Sequence, residues 1–158
     1  MMVYKTRFGE IEIPESEIFI FEEGIPGFSH LRKFAIISFE KSEPVKWLAS
    51  LEDETVAFPI VNPWLIRADY SVEISRQDMA SLEVVSQEQV AVWTILSFPS
   101  GNVEEATVNL MAPIVLNLKN NKAKQIVQED CNYSVRHLLK EEINRSKRIM
   151  QKAQGGSE

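Results

Sequence analysis

One cysteine, Cys131, and two histidines, His30 and His137, are the chain's whole stock of thiol and imidazole. Covalent catalysis needs an activated Ser, Thr or Cys with a base in reach. Cys131 and His137 stand six residues apart across an expected strand-to-helix junction, which permits contact without requiring it. No G-x-S-x-G elbow is present to hold a serine on a sharp turn. A lone cysteine and scattered histidines give no zinc-ligand spacing. Glu22-Glu23 and Glu52-Asp53-Glu54 offer oxygens to a hard cation, but neither run has the alternating ligands and central glycine of a calcium loop. Gly24 and Gly27 are not followed by the Lys-Ser/Thr of a phosphate cradle. The expected catalytic, cofactor and metal sets are therefore all empty, and the protein is expected not to be an enzyme. Two alternatives stay open: a small hydrolase on a barrel scaffold, using Cys131 or a carboxylate pair, and a β-barrel that binds some other ligand.

Charge narrows the partners. The net charge of the 158 residues is −6, unevenly spread. Residues 136–158 hold six basic and three acidic groups, leaving 11 basic and 20 acidic residues in 1–135, a net of −9. An acidic body repels phosphate backbones, so no direct nucleic-acid partner is expected, and a basic protein surface suits it better. The basic groups Arg145, Lys147, Arg148 and Lys152 lack the interleaved aromatics of a single-strand stacking platform and read as the exposed end of a helix. The N-terminal residues contain no apolar signal-like stretch, and no run reaches the roughly 18 apolar residues of a membrane span. With one cysteine and no internal disulfide, the expected location is cytoplasmic, with no membrane partner.

Period-2 text dominates to about residue 128. Strands are expected on both sides of Gly9, over 17–21, 34–39, 45–51 and 57–61, and again over 107–112, 113–118 and 123–128. Val90 to Phe98 is nearly all apolar, which suits a strand covered on both faces. Pro59 cannot donate to a ladder and points to an edge or bulge. Helical text is scarce. Ser75 can cap a short helix over the following residues. From Ser134 onward, Val135, Leu138, Leu139 and Ile143 fall on one helical face. The expected fold is mainly β: a compact antiparallel β-barrel-like single domain with one short internal helix and a C-terminal helix. Residues 1–143 form the domain, and 144–158 a basic helical extension with a disordered tail.

Three loops carry more than turn chemistry. Phe21-Glu22-Glu23-Gly24-Ile25-Pro26-Gly27-Phe28 sets apolar residues around a Pro-Gly turn edged with acid. Val45-Lys46-Trp47-Leu48-Ala49-Ser50-Leu51 runs into Glu52-Asp53-Glu54 and on to Phe58-Pro59-Ile60-Val61-Asn62-Pro63-Trp64. Trp47 has the setting of a core residue, whereas Trp64 follows Asn-Pro at a loop. In Asn109-Leu110-Met111-Ala112-Pro113-Ile114-Val115-Leu116-Asn117, two asparagines interrupt apolar strands, and their amides need partners. In this order and spacing, from about Thr6 to Glu142, these segments resemble the flagellar assembly factor FliW family. The basic helix after Ile143 has no counterpart in that resemblance.

The resemblance implies a small barrel-like protein without enzymatic activity that binds flagellin in the cytoplasm, partly as a chaperone. It also implies binding to CsrA, a small basic RNA-binding dimer that represses flagellin translation. Free protein would sequester CsrA, and accumulating flagellin would take the protein back. The expected partner-binding residues are Ile25, Phe28 and Trp64 for apolar contact, Glu22, Glu23, Glu52, Asp53 and Glu54 for charge, and Asn62 beside them.

Overall fold

A computed structural model describes residues 2–129 and 131–155. The chain opens with a separate antiparallel hairpin, β1 (Met2–Thr6) and β2 (Gly9–Ile13). Its turn needs Gly9, whose φ of +95° is costly for any residue with a Cβ. The Thr6 hydroxyl closes the turn by donating to Gly9 O (2.8 Å) and accepting from Phe8 N (3.1 Å).

The remaining strands are β3 (Ile18–Phe21), β4 (Lys33–Ser38), β5 (Lys46–Ser50), β6 (Ala57–Val61), β7 (Val90–Ser97), β8 (Thr107–Val108), β9 (Ile114–Asn117), β10 (Lys122–Gln125) and β11 (His137–Leu138). Seven of them close into a barrel in the order β3-β4-β5-β6-β7-β9-β10. A ring with an odd number of strands must contain a parallel neighbour pair. That pair is β10–β3, with Lys122 opposite Ile20 and Ala123 opposite Phe21. Closure leaves the ring without an outer edge strand. The short β8 and β11 extend the ladder from the end of β7.

Alternation fills the barrel with Phe21, Phe34, Leu48, Ile60, Ile114 and Leu116, each at most 1% exposed. Each such side chain stabilises the fold by about 1.5–3 kcal/mol relative to its exposed state. β7 is covered on both faces, as its composition predicts: Trp93 and Ile95 pack on the barrel core, while Leu96 packs in an outer cluster with Val61, Tyr70 and Leu110. Trp47 lies outside the barrel core, half-buried and edge-on to Phe8 beneath the hairpin turn (5.3 Å between centroids). Pro59 occupies a barrel strand rather than an edge. It pairs with Trp47 of β5 and lies just before Ile60 and Val61, the two β6 residues that pair with β7, so its missing N–H falls at the end of that short ladder.

Among the described residues three α-helices pack outside the barrel. The turn-long α1 (Pro63–Ile66) was not legible in the apolar periodicity; α2 (Arg76–Leu82) starts at the expected cap, where Ser75 Oγ accepts from Asp78 N at 3.1 Å. The third, α3, runs Leu139–Gly155. It starts later than its sequence pattern predicts. Leu138 pairs with Thr107 in β11, and Val135 and Leu138 are exposed. The inner face of α3 is instead half polar: Leu139 and Ile143 with Glu142 and Ser146. The expected boundary at 143/144 falls inside this helix, and tail residues 156–158 lie outside the described residues.

Candidate partner-binding surfaces

The β3–β4 and β5–β6 connections share one mouth of the barrel, because β4 and β6 both leave from it. In the first connection Phe28 N donates to Ile25 O (2.6 Å) across Pro26-Gly27, and Gly27 has φ +87°. This is the expected turn with proline second and glycine third. Gly24 has φ +67°, and a Cβ there would stand 2.6 Å from Ser29 Cα.

The turn does not display its apolar residues. Ile25 is 2% exposed and belongs to the barrel core, and Phe28 is half-buried, edge-on to Phe58 at 5.3 Å. Ile25 therefore drops out as a contact residue, because it plugs the barrel mouth. Pro26 and Gly27 are exposed at the tip, as are Ser29 and His30 just after it. Glu22 and Glu23 are exposed, but each sits beside a β10 lysine: Glu22 with Lys122 at 3.1 Å and Glu23 with Lys124 at 3.8 Å. Those lysines also hold Glu83 and Asp78, and both have raised pKa values, first through these two carboxylates.

At the same mouth Glu52 Oε1 accepts from Arg32 N (2.6 Å) and Lys33 N (2.9 Å), clamping the start of β4. Desolvation pushes its pKa up, but these bonds outweigh it, so the carboxyl lies below its ordinary range. Asp53 is likewise lowered, first by the Thr55 hydroxyl, whose Oγ1 donates to it at 2.6 Å. Glu52 and Asp53 are thus structural acceptors as well as charges. Glu54 is exposed and makes no ion pair among the described residues.

Asn62 and Trp64 sit at the opposite mouth, where β6 delivers the chain. Asn62 Oδ1 caps α1 by accepting from Trp64 N (2.9 Å), so its amide serves local structure. Trp64 Nε1 donates to Tyr70 O (2.8 Å), its ring lies edge-on to Tyr70, and 42% of the residue remains exposed. The candidate residues thus divide between two mouths and do not form one site.

Sequence reasoning missed the polar joint under α3. Arg145 forks onto Asp69 (2.5 and 2.8 Å), and this bond holds the Asp69 pKa down to about 2. Arg145 is therefore engaged rather than a free member of the basic end. Ser146 Oγ donates to Ile66 O (2.7 Å) and accepts from Ala68 N (3.0 Å). Glu142 faces His137 Nδ1 (3.0 Å) and Arg67 Nη1 (3.5 Å), while Arg67 stacks over Tyr133 at 4.8 Å. Polar residues at i, i+3 and i+4 on an inward helix face were the available signal. Burial raises the pKa of the Tyr70 phenol, which donates to Leu110 O at 2.7 Å.

Nor does the thiol meet the imidazole. Cys131 Sγ donates to Gln128 O (3.0 Å), whereas His137 Nε2 accepts from Ser134 N (2.8 Å). Among the described residues, no cluster of three or more His, Cys, Asp and Glu is placed to hold a metal ion. No described helix is long and apolar enough to cross a membrane.

Comparison with known proteins agrees with this architecture. The family model described as FliW protein matches residues 2–139, ending where α3 begins. The flagellar assembly factor FliW of Pseudothermotoga lettingae is 50% identical over 157 residues, covering 99% of this chain and 100% of the relative, so its similarity continues through α3. The Thermosipho africanus protein of the same name is 54% identical over 140 residues, covering 89% and 97% of the two chains. A crystal structure of the flagellar assembly factor FliW superposes with a TM-score of 0.81 at 29% identity, covering 87% of this chain and 96% of the other. The chain belongs to the FliW family.

Proposed function

We propose that this flagellar assembly factor works as a protein-binding switch that engages flagellin and antagonises the translational repressor CsrA, without catalysing a reaction. The supporting observation is the distribution of surface chemistry on a closed barrel. One mouth carries Glu22, Glu23, Glu52, Asp53 and Glu54, in a body with a net charge of −9 over residues 1–135. Such a surface speeds association with a basic RNA-binding protein and leaves negative potential beside the bound partner, which opposes RNA. The other mouth offers an apolar groove of about 640 Å³ beside the exposed Trp64, a surface suited to apolar protein segments such as those of flagellin. The cytoplasm is the setting in which both partners are met.

Calorimetric titration of the purified protein with CsrA and, separately, with flagellin tests this reading. The expected result is saturable binding to both, with CsrA affinity falling as salt rises. Absence of binding to either partner at low salt overturns it.

A further inference from the structure

Barrel closure leaves one gap. Gln89 O accepts from Leu118 N (2.7 Å) and Ile95 O accepts from Asn109 N (2.9 Å), so the odd-numbered residues along β7 turn their main-chain groups toward β9 and the segment leading from β8. Antiparallel alternation then turns the Val90 C=O and the N–H and C=O of Val92 and Thr94 toward the β6 side, while the Val90 N–H donates back to Gln87 O. Thr94 meets Val61 there. Past Val61 the chain leaves the ladder at Asn62 to enter α1, so among the described residues no strand faces Val90 and Val92.

That gap opens into the groove, which is lined by Trp64, Val72, Ile74, Val85, Val90 and Val92. Val85 is 84% exposed. The opposite lip has the same character. Ser71 N donates to Tyr133 Oη and Glu73 N to Gln128 Oε1, whereas Val72 and Ile74 make no main-chain hydrogen bond among the described residues. Glu73 stands on this lip, exposed and without an ion pair among the described residues.

Exposed apolar side chains beside unpaired main-chain groups fit an extended chain better than a helix. A helix satisfies its own backbone and would bury the Val90 C=O and the Val92 N–H and C=O unpaired. We propose that this flank of β7 receives an extended segment of a partner protein. The segment pairs with Val90 and Val92, sets alternate apolar side chains in the groove beside Trp64, and carries a basic residue that meets Glu73. The site stands whichever protein supplies the segment, so it goes beyond the assignment of flagellin and CsrA.

The test follows amide exchange in the full-length, isotope-labelled chain. The probe is the peptide acetyl-Lys-Val-Thr-Val-Thr-Val-Lys-amide. In dilute free protein, Val92 should exchange quickly and the β9-paired Ala91 and Trp93 slowly. Saturating peptide should slow Val92 by about tenfold or more. Methylating alternate peptide nitrogens should abolish the effect, and Val85→Lys, at an exposed position, should weaken it. Slow exchange of Val92 before peptide is added means the flank is already closed, and overturns the proposal. So does an equal response to the methylated peptide or to an amphipathic helical peptide of the same charge, or no response to the extended probe. Protection that rises with protein concentration alone assigns the flank to a second copy of this chain, and also overturns it.

Discussion

Asn117 is the most informative single position for stability. It ends β9 and is 1% exposed, yet it carries an amide. Nδ2 donates to Leu82 O (2.8 Å) and reaches Glu83 O (3.3 Å), while Oδ1 accepts from Lys119 N (2.9 Å). The side chain thus ties the C-terminus of α2 to the barrel and shapes the turn into β10. Asn117→Leu keeps the branched outline of the side chain and removes both functions. Two net hydrogen bonds at about 1 kcal/mol each are lost, and Lys119 N is left to find water in a half-buried turn. Leu82 O keeps a second donor, Asn120 Nδ2 at 3.2 Å, which limits the penalty on that side. The expected destabilisation is about 2–3 kcal/mol, or a fall in Tm of about 5–10 °C for a domain of this size. Urea unfolding followed by intrinsic fluorescence, with thermal melts alongside, measures it. A change below about 0.5 kcal/mol would refute the reasoning, since Asn117 would then behave as an ordinary surface residue.

Gly24→Ala should cost about 2–4 kcal/mol, because left-handed backbone and a 2.6 Å clash with Ser29 Cα coincide. Gly27→Ala meets open space and should cost only the strain of its positive φ, about 1–2 kcal/mol; equal losses in urea unfolding would rule out the clash. Asp69 is held to about pH 2 against an ordinary 3.8, so its contribution is complete above that ordinary value and fades as pH falls toward 2. Arg145→Gln should flatten the acid-unfolding profile in that window, and an unchanged profile would show that the Asp69 fork adds no stability. Glu54→Lys should weaken CsrA binding and its salt dependence while leaving stability within about 0.5 kcal/mol. Unchanged affinity would mean that the partner does not meet the β5–β6 mouth.

The strands were legible because alternation survives wherever one face is buried, and Val90–Phe98 declared itself by losing alternation altogether. The barrel-like fold was expected, but which strands close it was not legible, since the β10–β3 and β7–β9 pairings join segments about a hundred and about twenty-five residues apart, which no local pattern records. Helix α1 escaped notice because four residues cannot show a period of 3.6. The start of α3 was misplaced because Leu138 is spaced for the helix yet is used by β11. Among the candidate site residues, acidic identity pointed to exposure for Glu22, Glu23 and Glu54. Ile25 showed the weakness of that logic: a Pro-Gly turn reads the same whether its flanking side chains face solvent or plug a barrel.

The separation of the two mouths bears on how a partner switch would work. β6 joins them through five residues, about 16 Å of extended chain. At physiological ionic strength the screening length is about 8 Å, so charge placed at the acidic mouth is felt only weakly at Trp64. The closed ladder between them offers no hinge within its seven strands, and a packed core of Phe21, Phe34, Leu48 and Ile60 resists small graded shifts. Long-range coupling across the barrel is therefore a poor basis for exclusion of one partner by another. If flagellin displaces CsrA mole for mole, the two bound proteins must overlap in space, even with their main contacts at opposite mouths. A competition titration followed by size-exclusion analysis decides the point. Full displacement with no larger species is the expected outcome for a switch. A stable complex of all three proteins would show that the mouths act independently, and would remove partner switching while leaving both binding activities intact.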